Sequence, residues 1–147
     1  AYGAFCYDYT IKSFVSLISN EFSSKEIQQQ VRHVDFVPTI LEKLQIPIDK
    51  NFKNFDGISL IPLIEQNKMD DLPAYVETGN PLKDSKPPKD PNTKAIRYKE
   101  WKLIYNEYDN SKELYDLEKD PHEENNLIDT GLEMEKILWK ELLNHQI

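Results

Sequence analysis

The strongest constraint on the fold is a short strand-like segment that a proline brings to an abrupt end. Residues 113–117 largely alternate polar and apolar side chains, as in a strand with one covered face. Asp120-Pro121 follows, and proline cannot donate a hydrogen bond to a sheet and disfavours helix in the residue before it. Leu127 is the next residue expected to dock onto a core. The sequence therefore predicts a strand, a sharp corner and a return to the core.

Three further segments carry strand signals, and a terminal helix follows them. Residues 74–78, 95–98 and 101–106 are rich in β-branched and aromatic side chains. With residues 113–117 they predict an antiparallel sheet. A capping box at residues 130–133 predicts the start of a helix that packs on this sheet. The buried face of that helix is predicted to comprise Met134, Ile137, Leu138 and Leu142.

The first half of the chain predicts a strand and two short helices. Residues 11–18 are apolar at nearly every second position, which favours a strand covered on both faces. Asp35 and Ser59 are each predicted to cap a helix, with a proline three residues later in the first turn. Ser23 begins a capping-box spacing and predicts one more helical turn. The first of the two helices is predicted to bury Phe36, Val37, Ile40, Leu41 and Leu44.

Two stretches are predicted to be loops. Residues 1–10 are aromatic-rich and are expected to form a buried loop. Residues 79–94 contain four prolines between lysines, and such a segment cannot bury enough apolar surface to order itself. We expect a mobile surface loop there.

Charge and composition exclude several classes of protein. Of the 147 residues, 39% are hydrophobic and 30% are charged, which is ordinary for a soluble globular protein. The formal net charge of -8 argues against a nucleic-acid-binding surface, because phosphate contacts need a basic patch. No apolar run approaches the about 20 residues of a membrane span. The single cysteine, Cys6, excludes an intramolecular disulfide and favours a reducing, cytoplasmic compartment.

Four segments, in order, resemble motifs of the sulfatase family within the alkaline-phosphatase superfamily. They cover much of residues 31–127, and the last of them is Glu-Leu-Tyr-Asp-Leu followed by Asp-Pro and Asn-Leu. Residues 7–12 resemble a fifth family pattern more loosely, because Phe14 stands where the family usually has proline. The other three matching segments are Val-Asp-Phe-Val-Pro-Thr-Ile-Leu at 34–41, Asp-Gly-Ile-Ser-Leu-Ile-Pro-Leu at 56–63, and Ala-Ile-Arg with Tyr98, Trp101, Lys102 and Leu103.

The resemblance implies an α/β fold and a division of the chain. Residues 1–72 would form the end of the main alkaline-phosphatase-like α/β domain. Residues 73–147 would form a small antiparallel sheet packed by the C-terminal helix, with the mobile loop at 79–94. The chain begins in what reads as mid-chain sequence, so we expect a C-terminal fragment whose partner is the upstream catalytic part of the same chain.

The same resemblance implies hydrolysis of sulfate esters by the parent protein. The family uses a formylglycine made from a Cys/Ser-x-Pro-x-Arg motif, together with a divalent cation, calcium or magnesium. Cys6 lacks the proline and arginine of that motif, and no metal-binding motif is apparent, so we expect no catalytic residue and no metal site in this chain. Cys6 is expected to be buried and structural. The fragment is expected to be inactive alone, and the parent to act on a small sulfate ester.

Three residues are candidates for the wall of a substrate pocket. They are Lys12 and Arg97, because cations at strand ends suit a sulfate group, and His33, because the family resemblance implies that a residue near this position lies close to the substrate. Each has a structural alternative: a solvated lysine, a histidine bonded to nearby backbone, and an arginine paired with an acidic neighbour. The acidic cluster of Asp116, Asp120, His122, Glu123 and Glu124 is interpreted as a solvated turn, since a proline corner splays calcium ligands apart.

Two alternatives to the sulfatase hypothesis remain at this stage. One keeps the superfamily and changes the reaction to hydrolysis of a phosphomonoester, phosphodiester or phosphonate. The other is a non-catalytic module that binds a partner protein. The identity of the upstream nucleophile would distinguish phosphate or phosphonate hydrolysis from sulfate hydrolysis. A compact, fully covered monomer would favour the protein-interaction module.

Overall fold

The computed structural model describes residues 5–47, 55–81 and 88–145, which divide into two compact units. One unit combines the described residues up to Phe14 with those from Pro73 onward. The other unit is Val15–Leu72. No helix in these described ranges is long and apolar enough to cross a membrane. The assignment of residues 1–72 to the end of a larger domain stays a prediction.

The first unit is built on a four-stranded antiparallel sheet, which confirms the prediction from the alternating segments. The strands are β1 (Ala74–Thr78), β2 (Thr93–Tyr98), β3 (Trp101–Asn106) and β4 (Ser111–Asp116), in that order across the sheet. Tight turns join the last three strands, and Lys99 and Asn110 adopt the left-handed conformation in them, with φ of 56° and 57°.

The C-terminal helix covers one face of the sheet, as predicted. This helix, α4 (Glu133–Asn144), buries Leu138 and Leu142 completely. Their partners across the interface are the fully buried Ile96, Leu103 and Leu114. Trp101, Tyr98 and Tyr105 pack around this core, which confirms their assignment to the sheet.

Two details of α4 differ from the sequence prediction. Ile137 is 42% exposed, because it points away from the stripe formed by Leu138 and Leu142. The predicted capping box does not form, since Leu132 precedes the helix without a capping side chain. The hydroxyl of Thr130 donates instead to the carbonyl of Leu127 at 2.6 Å.

The N-terminal segment covers the opposite face of the sheet. It contains one helical turn, α1 (Asp8–Ile11), and it buries Cys6 against Ala95, Ile104 and Tyr115. The predicted burial of this segment is therefore confirmed for Cys6, whereas Tyr9 is 76% exposed. Residues 1–4 lie outside the described part of the chain. The sheet is thus covered by the two sequence-distant ends of one unit.

The predicted strand at residues 11–18 is wrong. Ile11 ends α1, and residues 12–18 have no regular secondary structure. Phe14 and Ile18 are 91% and 95% exposed. A strand needs a neighbouring backbone to pair its N–H and C=O groups, and within the described ranges this segment joins no ladder. The capping-box spacing at Ser23 likewise gives no helix.

The second unit contains the two predicted short helices. A 3₁₀ turn (His33–Asp35) leads into α2 (Phe36–Lys43), and α3 (Ile61–Gln66) follows. The apolar stripe of α2 is only partly buried, since Val37, Ile40 and Leu44 are 51%, 46% and 62% exposed. The stripe prediction is correct for the helix and wrong for the burial of these three residues.

Both predicted helix caps act differently from expectation. Asp35 does not cap α2; its buried carboxylate accepts hydrogen bonds from the Arg32 backbone, the Arg32 guanidinium and the Ile58 N–H. The hydroxyl of Ser59 accepts from the Ile61 N–H at 3.2 Å, but Leu60 is the residue that precedes α3. Asp35 therefore ties the start of α2 to the turn before α3.

A second hydrogen bond and a close backbone contact complete this connection. The hydroxyl of Thr39 donates to the carbonyl of Asp35 and accepts from the Leu60 N–H at 2.9 Å. A Cβ atom added at Gly57 would lie 1.9 Å from the carbonyl oxygen of Val34, so the backbones approach too closely for any side chain. The two family-like motifs at 34–41 and 56–63 thus form one packed element.

The predicted polar loop begins and ends in ordered structure. β2 includes Thr93 and Lys94, which the sequence assigned to the loop. The side chain of Asn92 accepts from the Asn80 N–H at 2.7 Å and donates to the Asn80 carbonyl at 3.0 Å. Residues 82–87 lie outside the described part of the chain.

Candidate functional site

The sheet face beneath the N-terminal segment carries two cations. Strand alternation places Arg97 and Lys102 on the same face as Ala95 and Ile104, and the register pairs Arg97 with Lys102 across β2 and β3. Lys102 is completely buried. A lysine in this environment needs carboxylate partners, because an isolated buried charge is very costly.

Two carboxylates from distant parts of the chain meet the buried lysine. The Nζ atom of Lys102 lies 2.9 Å from Asp8 Oδ1 and 2.6 Å from Glu123 Oε1. The other Asp8 oxygen accepts from Arg97 Nη1 at 2.8 Å. The backbone N–H of Asp8 donates to Glu123 Oε2 at 2.7 Å. We call Asp8, Arg97, Lys102 and Glu123 the Lys102 cluster.

The Lys102 cluster is formally neutral and its charges are engaged with one another. Its two cations and two carboxylates come from α1, from β2 and β3, and from the turn after Pro121. Both oxygens of Asp8 and both oxygens of Glu123 contact a cation or an N–H group within the cluster. This arrangement fixes the relative positions of its elements and leaves these groups committed rather than poised for acid–base chemistry.

A hydrogen-bonded pair of tyrosines lies on the same face. The hydroxyls of Tyr7 and Tyr115 both donate to Glu113 Oε2, at 2.7 and 2.6 Å. Burial, reinforced by these bonds to the carboxylate, raises the pKa of both phenols well above their usual range. The two hydroxyls are therefore protonated donors, which suits a structural role.

Cys6 has the properties of a structural cysteine, as predicted. Its side chain is 1% exposed and packs in the core beside Ala95 and Ile104. Burial raises the pKa of the Cys6 thiol to about 11. The thiol is thus protonated near neutral pH and is a poor nucleophile.

The three pocket candidates fall in different places. Arg97 belongs to the Lys102 cluster and pairs with Asp8, which is the structural alternative weighed for it. Lys12 has an exposed side chain, and its backbone N–H donates to the Asp8 carbonyl at 2.9 Å. His33 belongs to the second unit, where its ring lies 5.5 Å from that of Phe36. Within the sheet unit, the Arg97 side chain binds the Asp8 carboxylate and Lys12 is joined to Asp8 only through the backbone, and their roles toward a substrate stay predictions.

The interpretation of residues 116–124 as a solvated acidic turn is wrong for Glu123 and Asp116. Glu123 is 9% exposed and Asp116 is 4% exposed, whereas His122 and Glu124 face solvent. Glu123 adopts φ of 57°, which turns its side chain inward to Lys102. A sequence signal for this existed: Lys102 has the same strand parity as the core residue Ile104 and so required a buried acid.

The described residues contain no donor set that fits the divalent cation implied by the family resemblance. Across residues 5–47, 55–81 and 88–145, no three His, Cys, Asp or Glu side chains converge as metal ligands. In the second unit, an open and mainly apolar groove lined by Pro38, Ile46, Phe55 and Ile58 carries a carboxylate only from Glu42.

Comparison with protein families gives a match over nearly the whole chain. The family model described as N-sulphoglucosamine sulphohydrolase, C-terminal, matches residues 5–147. No curated protein matches the chain.

Solved structures with the same fold are sulfatase-related. A Bacteroides thetaiotaomicron VPI-5482 protein provisionally designated a sulfatase is 25% identical, with a TM-score of 0.51, over 76% of this chain and 23% of its own. BT1596, a 2-O GAG sulfatase, is 25% identical, with a TM-score of 0.50, over 76% of this chain and 23% of its own length. BT33494S-sulf, from work on glycosaminoglycan metabolism by Bacteroides thetaiotaomicron, is 21% identical, with a TM-score of 0.52, over 74% and 25%. This chain spans at most a quarter of the length of each.

Proposed function

Because this chain belongs to the N-sulphoglucosamine sulphohydrolase C-terminal family, we propose that it is the C-terminal portion of a sulfatase-like sulfuric ester hydrolase. The observation that carries the proposal is the family match over residues 5–147. The coverage of the solved structures agrees with it, since a chain that spans 23% of a sulfatase leaves room for a separate catalytic part.

In this proposal the chain supplies scaffold and is inactive alone. The buried charges of Lys102 and Glu123 are committed to the Lys102 cluster, and the described residues offer no metal ligand set. The nucleophile and the calcium or magnesium ion would belong to the upstream part. Lys12 and Arg97 would lie near one wall of the substrate pocket, and His33 would be a further candidate.

The exposed segment at residues 12–18 supports the need for an upstream part. Phe14 and Ile18 are almost fully exposed, and side chains of this size usually find a cover. An extended apolar segment of this kind suits addition to a neighbouring sheet.

We assign sulfated sugars as the substrate class. The family description names a sulfated glucosamine, and a 25% identical solved structure is described as a GAG sulfatase. A sulfate ester or sulfamate on a sugar ring presents a compact anion, which Lys12 would bind as a point charge.

The first test is the genomic reading frame upstream of the codon for Ala1. A Cys/Ser-x-Pro-x-Arg motif with an acidic metal cluster supports the sulfatase. A threonine or an unmodifiable serine in place of the motif would favour a phosphoryl-transfer relative, and a start codon at Ala1 would favour a protein-interaction module.

The second test is catalytic. We expect no hydrolysis of N-sulfated or O-sulfated glucosamine by the isolated 147-residue chain, and turnover by the full-length protein matured with formylglycine. The matched control is the full-length protein with the formylglycine precursor changed to alanine. Turnover by the isolated chain that withstands repurification would contradict the proposal.

A further inference from the structure

A single buried lysine joins three separate parts of the sheet unit. Lys102 on β3 contacts Asp8 of α1 and Glu123 of the proline corner. Asp8 and Glu123 also contact each other directly, although 115 residues separate them in the sequence. The hydrogen-bonded ladders with β2 and β4 already hold β3 in the sheet. The contacts of Lys102 with Asp8 and Glu123 are therefore free to position other parts of the unit.

We propose that Asp8, Lys102 and Glu123 form a latch that positions residues 5–12 on the sheet, and with them the pocket candidate Lys12. Only the role given to Lys12 rests on the proposed function. In this view the three residues are positioning residues, which set where the N-terminal segment lies.

Burial of the lysine gives the latch its specificity. Lys102 has no exposed surface, so any placement of the N-terminal segment that withdraws Asp8 leaves a buried charge short of a partner. A shift of the segment along the sheet would not bring an equivalent residue to this place. The Asp8 carboxylate contacts Lys102 and Arg97, while the Asp8 N–H donates to Glu123. One register therefore brings all of these groups into contact together.

The latch reaches Lys12 through a single helical turn. The N–H groups of Thr10 and Ile11 donate to the Tyr7 carbonyl at 2.9 and 3.1 Å. The N–H of Lys12 donates to the Asp8 carbonyl at 2.9 Å. The turn begins at the latched residue and ends where the exposed segment starts, so a displacement of Asp8 displaces Lys12.

Hydrogen exchange on the 147-residue chain tests the latch. The amides of Thr10, Ile11 and Lys12 report on the segment, and those of Leu103 and Ile104 report on the sheet. We expect Glu123→Gln to speed exchange at the first set at least tenfold more than at the second, because displacement of the segment adds to any loss of sheet stability. Asp8→Asn removes the charge of the other carboxylate in the latch and should speed exchange at the same amides.

The matched control is Glu107→Gln, the same chemical change on the same sheet. Glu107 pairs with Lys94 at 2.5 Å, is more exposed and lies outside the latch. We expect no change at Thr10 to Lys12. The latch is refuted if Glu123→Gln and Asp8→Asn leave that segment protected, or if they weaken segment and sheet by the same factor.

A kinetic measurement separates the latch from the proposed function. In the full-length enzyme, Glu123→Gln should raise KM for a sulfated sugar severalfold more than it lowers kcat, because a displaced Lys12 weakens binding. Equal losses in both, or a change confined to kcat, would overturn the link to Lys12. A full-length protein with no sulfatase activity would contradict the proposed function, and the exchange experiment would still decide the latch.

Discussion

At the scale of single residues, the fold depends on a few positions that accept only one kind of side chain. Gly57 has no room for a Cβ, and Lys102 has no exposed surface. Cys6 is similarly enclosed, and its thiol is protonated because it is buried. The requirements at Gly57 and Cys6 can each be tested with a single variant.

Gly57→Ala should destabilise the second unit by about 3 kcal/mol. The added methyl group would overlap the backbone of Val34, which cannot move without disturbing the start of α2. The free energy of opening, from hydrogen exchange of α2 amides, measures the effect. Gly131→Ala is the control, measured on the α4 amides of its own unit: Gly131 has φ of 82° and nothing within 4 Å of an added Cβ, so about 1 kcal/mol of strain is expected there. Equal effects would contradict the close approach.

The Cys6 thiol should ionise near pH 11 in the folded chain and near pH 9.0 after unfolding in urea. The folded protein then holds its proton more tightly, so stability is unaffected below pH 9.0 and falls as the pH rises toward 11. A shift of about two pH units corresponds to a loss of roughly 3 kcal/mol. Thiolate absorbance at 240 nm, with Cys6→Ala subtracted, gives both midpoints. A folded midpoint near 9 would show that the thiol is accessible.

At the scale of elements, regular pairing could be predicted and unpaired segments could not. The four strands follow from side-chain alternation and turn residues, which act locally. The failure at residues 11–18 has the opposite cause, since the same apolar pattern needs a partner strand that the described chain does not supply. Asp35 and Ser59 marked the helix starts to within about one residue, but tertiary contacts such as that of Asp35 with Ile58 replaced the expected caps.

Leu142→Ala should cost about 3 kcal/mol of stability, because Leu142 is fully buried between α4 and the sheet and its loss leaves a cavity. Leu143→Ala makes the same change one residue later on α4, where the side chain is 44% exposed, and should cost less than about 1 kcal/mol. Urea unfolding monitored by tryptophan fluorescence compares the two, because Trp101 and Trp139 pack beside this core. Similar losses would refute the predicted orientation of α4.

At the scale of the whole molecule, the family could be inferred from the sequence and the candidate site only in part. The ordered motifs at 34–41, 56–63, 95–103 and 113–127 established the resemblance. They did not indicate that Asp8 and Glu123 would meet, because a contact between residues so distant leaves no local pattern. Lys102 alone carried a hint, as a charge at a core position of β3.

The isolated chain should self-associate through its exposed apolar segment. Phe14→Ser with Ile18→Ser should reduce light scattering at high protein concentration, and stability should change by less than about 0.5 kcal/mol because both side chains are exposed. Static light scattering and urea unfolding on the same samples check the two halves of this expectation. Unchanged scattering would show that the segment does not drive association.

The covering of the sheet by both ends of its unit affects how the chain folds during synthesis. A ribosome that has released residues 5–11 must still make the second unit and all four strands before Asp8 can meet Glu123, 115 residues later. Closing so long a loop is entropically costly and slows folding. Cys6 and Tyr7 therefore lack their partners until the strands and Glu123 have been made, and this unit should become resistant to protease later than the second unit.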